Sequence, residues 1–340
     1  MLGDCVQSGI KPIYRRIIMN DIKLSIIVPT YNHERYIEEC INSILMQEID
    51  FSYEVLIGED CSKDSTAQVL RRLEHKLPEE YTIFYREQNM GMGKTGNAWD
   101  LQCRAKGEYI ITIEGDDFFL EKDKLKRQVE FLNNNKDFIA VSHNCKVVDE
   151  NSKDKNETYP ECKESEYTFK NYLKEELPGQ LATIMYRRIY NEYGEKFYDE
   201  FKLYDFYPGD RLKAFLMLTG GRVRCIQEQL SAYRHITIGG TSYSANVTRD
   251  AKMIRNELLF YRSIFNYSKY YKNEGAMKTT GKLYYSRLFL RCFGKNKQSK
   301  LIDFFKEIFR EKYTFLYGGY VIKRTVSLSF TKIKEKLIGA

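Results

Sequence analysis

Proline is scarce, with six in 340 residues, and tryptophan occurs once. A Pro-rich linker between separate modules is therefore not expected. The four histidines do not cluster with the eight cysteines, and no CxxC pair occurs, which argues against a structural zinc site. No run of about 18 apolar residues exists, so an ordinary membrane-spanning helix is not expected. The N-terminus lacks an apolar segment followed by a small-residue cleavage site, so a secretory leader is not expected either. Scattered cysteines in apolar contexts read as reduced, buried thiols in a reducing compartment.

What is present is uneven charge and abundant aromatic residues, 27 Tyr and 20 Phe. The chain carries +7 overall, but residues 251–340 carry +14 and the first 250 carry −7. A mildly acidic body with a basic, aromatic tail can meet phosphate-bearing partners: a membrane surface, a lipid-linked substrate or nucleic acid. Nucleic-acid binding rests on tail charge alone and is not favoured. A solvated helical appendage is the plain alternative.

Along the chain, strand and helix patterns alternate. Leu24-Ser25-Ile26-Ile27-Val28 reads as a buried strand, stopped by Pro29-Thr30-Tyr31-Asn32. Asn32 can cap a helix from about His33 to Gln47. A second strand, Tyr53 to Gly58, ends in Glu59-Asp60-Cys61-Ser62, and Ser65-Thr66 opens a helix through Leu73. Tyr81 to Tyr85 forms a third strand. A glycine-punctuated loop, Asn89-Met90-Gly91-Met92-Gly93, precedes a helix near Thr95 to Ala105. Glu108 to Ile113 forms a fourth strand, ending in Glu114-Gly115-Asp116-Asp117. Further on, Leu125 to Leu132 reads as a helix, Phe138 to His143 as a strand, and Asp149 to Glu166 as a polar excursion. Leu181 to Tyr186 and Arg222 to Ile226 read as strands. Asp210 precedes an amphipathic helix, and Tyr233 to Ser242 reads as a polar loop. From about Arg249 the pattern is helical and basic.

Such alternation predicts a mostly parallel sheet covered on both faces. Ligands then bind beyond the strand C-termini, where Thr30, Glu59, Asp60, Glu114 and Asp116 gather. The Glu114-Gly115-Asp116-Asp117 turn can hold a hard divalent cation, Mn²⁺ or Mg²⁺, through oxygen ligands. Asp116 is the direct ligand in this reading, with Glu114 near a ribose, a water or the ion, and Gly115 letting the backbone turn. Helix capping by Asp116 or Asp117 is the plain alternative. Thr30, Asn32, Glu59 and Asp60 could flank a nucleotide or form ordinary turns. Ser62, Asp64, Ser65 and Thr66 look like turn and cap residues, and His33 like a surface residue. Lys94 could approach a diphosphate, although its loop lacks the P-loop spacing. Asp210 is the candidate general base for an attacking hydroxyl, with helix capping as the alternative. Arg234 and His235 could close over a diphosphate, or Arg234 could make a structural ion pair. Lys295, Lys297 and Lys300 could meet lipid phosphates while Phe304, Phe305 and Phe309 face an apolar surface.

Taken in order, these segments resemble family 2 glycosyltransferases. The matching pieces are Leu24 to Asn32, Ser43 to Gln47, Glu54 to Thr66, Asn89 to Asn97 and Ile113 to Asp117. The resemblance implies a GT-A type, Rossmann-like α/β fold: a mostly parallel central sheet flanked by helices, with a helical basic C-terminal extension. It divides the chain into a leader (1–21), a glycosyltransferase domain (22–245, with halves 22–120 and 121–245) and a C-terminal region (246–340). It assigns Thr30, Asn32, Glu59, Asp60, Lys94, Asn97, Glu114 and Gly115 to the nucleotide, Asp116 to the metal, and Asp210 to base catalysis. Arg234, His235 and Ser242 fall in a diphosphate or acceptor loop. The implied reaction is transfer from a nucleotide-diphosphate sugar, usually UDP-linked and with inversion, to a saccharide or lipid-linked acceptor. Capsule or O-antigen synthesis at the inner face of the plasma membrane is the implied setting, with peripheral contact to an anionic surface and homo-oligomer formation left open. A catalytically inactive nucleotide-sugar or glycan-binding module is the alternative.

Overall fold

The computed structural model describes residues 22–91, 96–159, 161–188, 209–236, 251–292 and 301–338. Four parallel strands form its first half: β1 Leu24–Thr30, β2 Tyr53–Glu59, β3 Tyr81–Tyr85 and β4 Tyr109–Thr112. Helices α1 Ile37–Leu45, α2 Thr66–Glu74 and α3 Asn97–Arg104 follow the first three strands. Next come β5 Phe118–Phe119, α4 Lys124–Asn134, β6 Phe138–Val148, β7 Glu166–Tyr167 and α5 Phe169–Leu173. A 3-10 turn at Leu181–Thr183, β8 Met185–Arg187, α6 Gly209–Gly220 and β9 Arg222–Arg234 complete the sheet region. The strand order is β3-β2-β1-β4-β8-β6-β9-β5, with β7 also on β9. β8 is antiparallel to β4 and β6, whereas β6 and β9 are parallel.

Alternation along β1 builds both faces of the sheet. Leu24, Ile26 and Val28 pack with Ile37, Ile41 and Leu70 of α1 and α2 and with Leu125 and Val129 of α4. Ile27 points the other way, into a cluster with Leu101 of α3 and Phe215 of α6. That second cluster extends into four C-terminal helices, α7 Ala251–Tyr270, α8 Glu274–Cys292, α9 Leu301–Ile308 and α10 Thr314–Ile338. Phe260 and Phe265 of α7 and Leu283 and Tyr284 of α8 are buried there. The basic, helical C-terminal extension is thus present, and its first helices share the core of the sheet. Glu175, which follows α5, joins Arg287 of α8 and Arg324 of α10, and these two guanidinium groups hold its carboxyl down to about 2 against the opposing effect of burial.

Several segments differ from the sequence pattern. α1 begins at Ile37, because residues 31–36 turn away from β1 before the helix starts. Asn32 therefore does not cap it. Leu181–Thr183 is a 3-10 turn, with the strand confined to Met185–Arg187. β9 runs on through Tyr233 and Arg234, which are strand and not loop. Phe304 is buried against Tyr285 and Phe289 of α8, so it does not face outward. Lys295, Lys297 and Lys300 lie outside the described residues, as do the leader and residues 237–250. The seven described cysteines are free, five of them buried. No helix among the described residues is long and apolar enough to cross a membrane.

At the edge of β4 opposite the acidic turn, Gly107 donates to Ser25 Oγ at 2.7 Å, and Ser25 donates to Glu54 at 2.6 Å. A Cβ at Gly107 would lie 2.4 Å from the Ser25 amide nitrogen and 2.7 Å from the Leu24 carbonyl carbon. Both are backbone atoms of the central strand and cannot move alone. Gly107→Ala is expected to destabilise the fold by about 1–3 kcal/mol, read as a lowered denaturant midpoint with unchanged slope.

Candidate active site

The site forms where β1, β2 and β4 end side by side. Asp60 N–H donates to the Thr30 carbonyl at 3.0 Å, and Gly115 N–H donates to the Pro29 carbonyl at 3.1 Å. Thr30, Glu59-Asp60 and the acidic turn therefore occupy three adjacent strand ends. The loops after β1 and β2 are joined by side chains. Asn32, at φ 57°, donates its N–H to Ser62 Oγ, and its Oδ1 accepts from Lys63 N–H. Asp64 accepts from the Thr66 and Glu34 amides, the turn and cap work its sequence position suggests. Glu59 accepts from Ser62 N–H at 2.8 Å.

Asp60 carries the glycine-punctuated loop. Its Oδ1 accepts from Met90 N–H at 2.7 Å, and its carbonyl accepts from Asn89 Nδ2. Burial raises its carboxyl above the usual range, opposed by the Met90 and Gly91 amides. Asn97 is buried, donating to the Gly58 carbonyl at 2.7 Å and accepting from Arg86 Nε. Its amide fixes α3 to β2. Lys94 lies outside the described residues, as does Ser242.

In the acidic turn, Glu114, Asp116 and Asp117 bring carboxylate oxygens within 4.8 Å of one another. Gly115 is required between them. A Cβ there would meet Thr30 Oγ1 at 2.5 Å and His33 Nδ1 at 2.9 Å. His33 is not a plain surface residue: its Nδ1 lies 3.1 Å from Thr30 Oγ1 and its Nε2 3.7 Å from Asp116 Oδ2. Neither Asp116 nor Asp117 caps a helix, since α4 starts at Lys124. Asp117 is fully engaged: Oδ1 accepts from Arg234 N–H at 2.8 Å and Oδ2 from Gln180 Nε2 at 2.6 Å. The sequence reading missed Gln180, which sits just before the 3-10 turn.

Burial, then the charges of Asp116 and Asp210, push the Glu114 carboxyl well up; Lys213 opposes them. Asp210, in the first turn of α6, is itself raised by burial, with Lys213 one turn further on lowering it. Asp210 therefore stands close enough to Glu114 for their charges to interact. Tyr159, from the polar excursion, joins the same group: burial and then Asp210 raise its hydroxyl. Lys213 and Tyr159 had no sequence signal beyond residue type. Crowded carboxylates of this kind, all hard oxygen donors, suit a divalent cation, which would relieve their mutual repulsion. Asp116 and Glu114 are the residues placed to hold one, because Asp117 is spent on Arg234 and Gln180.

Arg234 does not face a ligand loop. It is 1% exposed; Nε donates to the Asp116 carbonyl at 2.9 Å and Nη1 to the Asp149 carbonyl at 2.8 Å. Nη2 pairs with Glu39 at 2.6 Å, and the group lies over the Tyr36 ring. Nε and the backbone N–H tie Arg234 to the acidic turn, while Nη1 and Nη2 tie it to Asp149 and Glu39, which is the ion-pair alternative. His235 stacks on Tyr233 and contacts Glu157 through Nδ1 at 2.8 Å. Arg234→Ala leaves the Asp116 and Asp149 carbonyls and the Glu39 carboxylate without their guanidinium donor, while the backbone N–H to Asp117 is kept. It is expected to cost about 3–5 kcal/mol, measured by chemical unfolding, whereas Arg234→Lys recovers only part.

A mostly parallel α/β sheet with an acidic turn at the end of β4, and Asp210 near enough for its charge to act on that turn, is the arrangement of a GT-A type protein. The solved structure of Staphylococcus aureus TarS 1–349 in complex with UDP-GlcNAc has this fold, with a TM-score of 0.57 over 83% of this chain and 77% of that one, at 21% identity. The family model described as Glycosyl transferase family 2 matches residues 25–194, half of the chain, and the chain belongs to that family. Among curated relatives, the uncharacterized protein Mb1547 of Mycobacterium bovis is 26% identical over 211 residues, 62% of this chain. The match spans 58% of that relative's length. The poly(ribitol-phosphate) beta-N-acetylglucosaminyltransferase TarS of S. aureus is 36% identical over 113 residues, 33% of this chain and 19% of that protein.

Proposed function

We propose that this protein transfers a sugar from a nucleotide-diphosphate sugar, UDP-linked, to a hydroxyl of a saccharide or lipid-linked glycan acceptor, with inversion, in surface-polysaccharide synthesis. The observation that supports this reading is the cluster of Glu114, Asp116 and Asp117 carboxylates at the end of β4, with Asp210 near enough for its charge to act on Glu114. Family membership supports it, and the relative named for N-acetylglucosaminyl transfer, with its solved complex with UDP-GlcNAc, supports a UDP donor.

Thr30, Glu59 and Asp60 border the nucleotide in this reading. Asp210 takes the acceptor proton as the hydroxyl attacks the anomeric carbon and the diphosphate departs from the opposite side. Burial raises the affinity of Asp210 for a proton, which makes it a stronger base than an exposed carboxylate. A divalent cation held by Asp116 and Glu114 would offset the charge gathering on the leaving diphosphate. The protein's own part is to fix these carboxylates: Arg234 and Gln180 hold the turn, and Lys213 opposes the effect of burial on Asp210.

The test is a panel of nucleotide sugars, scored by donor hydrolysis and by thermal stabilisation with Mn²⁺ or Mg²⁺. A UDP-sugar is expected to raise the melting temperature and to be turned over, with both effects lost in chelator. If no nucleotide sugar does either with metal present, the reading is wrong.

A further inference from the structure

The last two helices sort their side chains in an unusual way. On their inner faces, Phe304 and Ile308 of α9 and Tyr317 and Val321 of α10 are buried. Tyr317 stacks on Tyr285 of α8 at 5.4 Å. The outer faces are also apolar. Ile302, Phe305 and Phe309 follow one side of α9, and the Phe305 and Phe309 rings stack at 5.9 Å. On α10, Phe315 is 95% exposed and Ile322 67%, with Val326 on the same stripe. Between them, Gly318 and Gly319 leave the stripe open, since a Cβ at either would meet nothing within 4 Å. Among the described residues, eight of the thirteen large exposed hydrophobic residues fall at or after Leu301, so the exposure is concentrated on these two helices.

Charge is sorted across the same helices. Glu307 accepts from Tyr284 Oη and Glu311 from Tyr285 Oη, so both acids turn inward. Lys306, Arg310 and Lys323 remain exposed beside the apolar stripes, with no carboxylate partner among the described residues. Asp303 is the exposed acid of α9. Apolar and aromatic residues flanked by unpaired cations are the pattern of a helix lying in a membrane interface. Neither helix can span a bilayer. A second copy fits less well, because a two-fold contact through this patch would set its cations against their own copies.

We propose that the outer faces of α9 and α10 seat on an anionic lipid surface. Phe305, Phe309, Phe315 and Ile322 enter the headgroup–acyl boundary while Lys306, Arg310 and Lys323 meet lipid phosphates. The proposal stands apart from the reaction, since lipid binding is read with no sugar donor present.

The test is co-sedimentation of the full chain with vesicles of phosphatidylcholine alone or with about 30 mol% phosphatidylglycerol. Binding is expected to be at least about tenfold tighter to the anionic vesicles and to weaken with salt. Phe315→Ser/Ile322→Ser should lower binding to them about tenfold, with the melting temperature unchanged. Lys306→Glu/Arg310→Glu/Lys323→Glu should remove the preference for anionic lipid. The proposal is overturned if the wild-type chain ignores both vesicle types, if neither variant changes binding, or if neutral and anionic vesicles bind equally. It is also overturned if the chain instead self-associates in sedimentation velocity and Phe315→Ser/Ile322→Ser dissolves that association, which would make the occupant a second copy.

Discussion

Asp116→Ala is expected to lower transfer by about 10³-fold or more at saturating donor and Mn²⁺, while the folded protein becomes no less stable. The two effects diverge because the side chain and backbone of Asp116 do different work. Its carbonyl accepts from Arg234, and the substitution keeps that bond. Among the described residues its carboxylate approaches one basic side chain, His33 Nε2 at 3.7 Å, and it adds to the repulsion that raises Glu114 and Asp117. Removing it relieves a like-charge cluster. Turnover and thermal melting, measured on one preparation without added metal for the melt, check both halves. A large fall in melting temperature would mean that Asp116 is structural. Retained turnover would remove the cation from the mechanism.

Asp210→Asn is expected to lower transfer by about 10²–10⁴-fold while donor-induced stabilisation changes little. The amide has the shape of the carboxylate but cannot accept the acceptor's proton. Asp210 lies at the start of α6, whose Leu212 and Phe215 are buried, so the helix does not depend on this residue for its place. Transfer within tenfold of wild type would show that the base lies elsewhere; Glu114, which feels the charge of Asp210, would then be the next candidate. Together the two substitutions separate cation holding from proton removal: one should weaken donor binding in metal, and the other should not.

The first half of the fold was legible because its central strands β1, β2 and β4 are buried on both faces. Continuous apolar runs bounded by turn residues leave little choice for β1 and β2, and Tyr81–Tyr85 runs to its expected ends. β9 was cut short because Gln227, Glu228 and Gln229 interrupt its apolar pattern. Those three are exposed in mid-strand, and burial resumes at Leu230. Arg234 was harder still. A Tyr-Arg-His run looks like polar loop, and nothing local tells a buried arginine from an exposed one. Its acceptors lie 82 to 195 residues away, in Ser152, Asp149, Asp116 and Glu39. His33, Gln180 and Lys213 escaped for the same reason. The acidic turn announces itself by spacing, but the groups that fix it are brought together only by the folded chain.

The shared core of α6, α7 and α8 bears on how the chain could be divided. A cut near residue 245 matches the boundary of the family resemblance, yet it would strip Phe260, Ile264, Phe265 and Tyr284 from the side of Phe215. A recombinant fragment ending there is therefore expected to be sticky and poorly soluble. The sheet and the helices from residue 251 therefore close one shared core, and neither side keeps its apolar surface covered without the other.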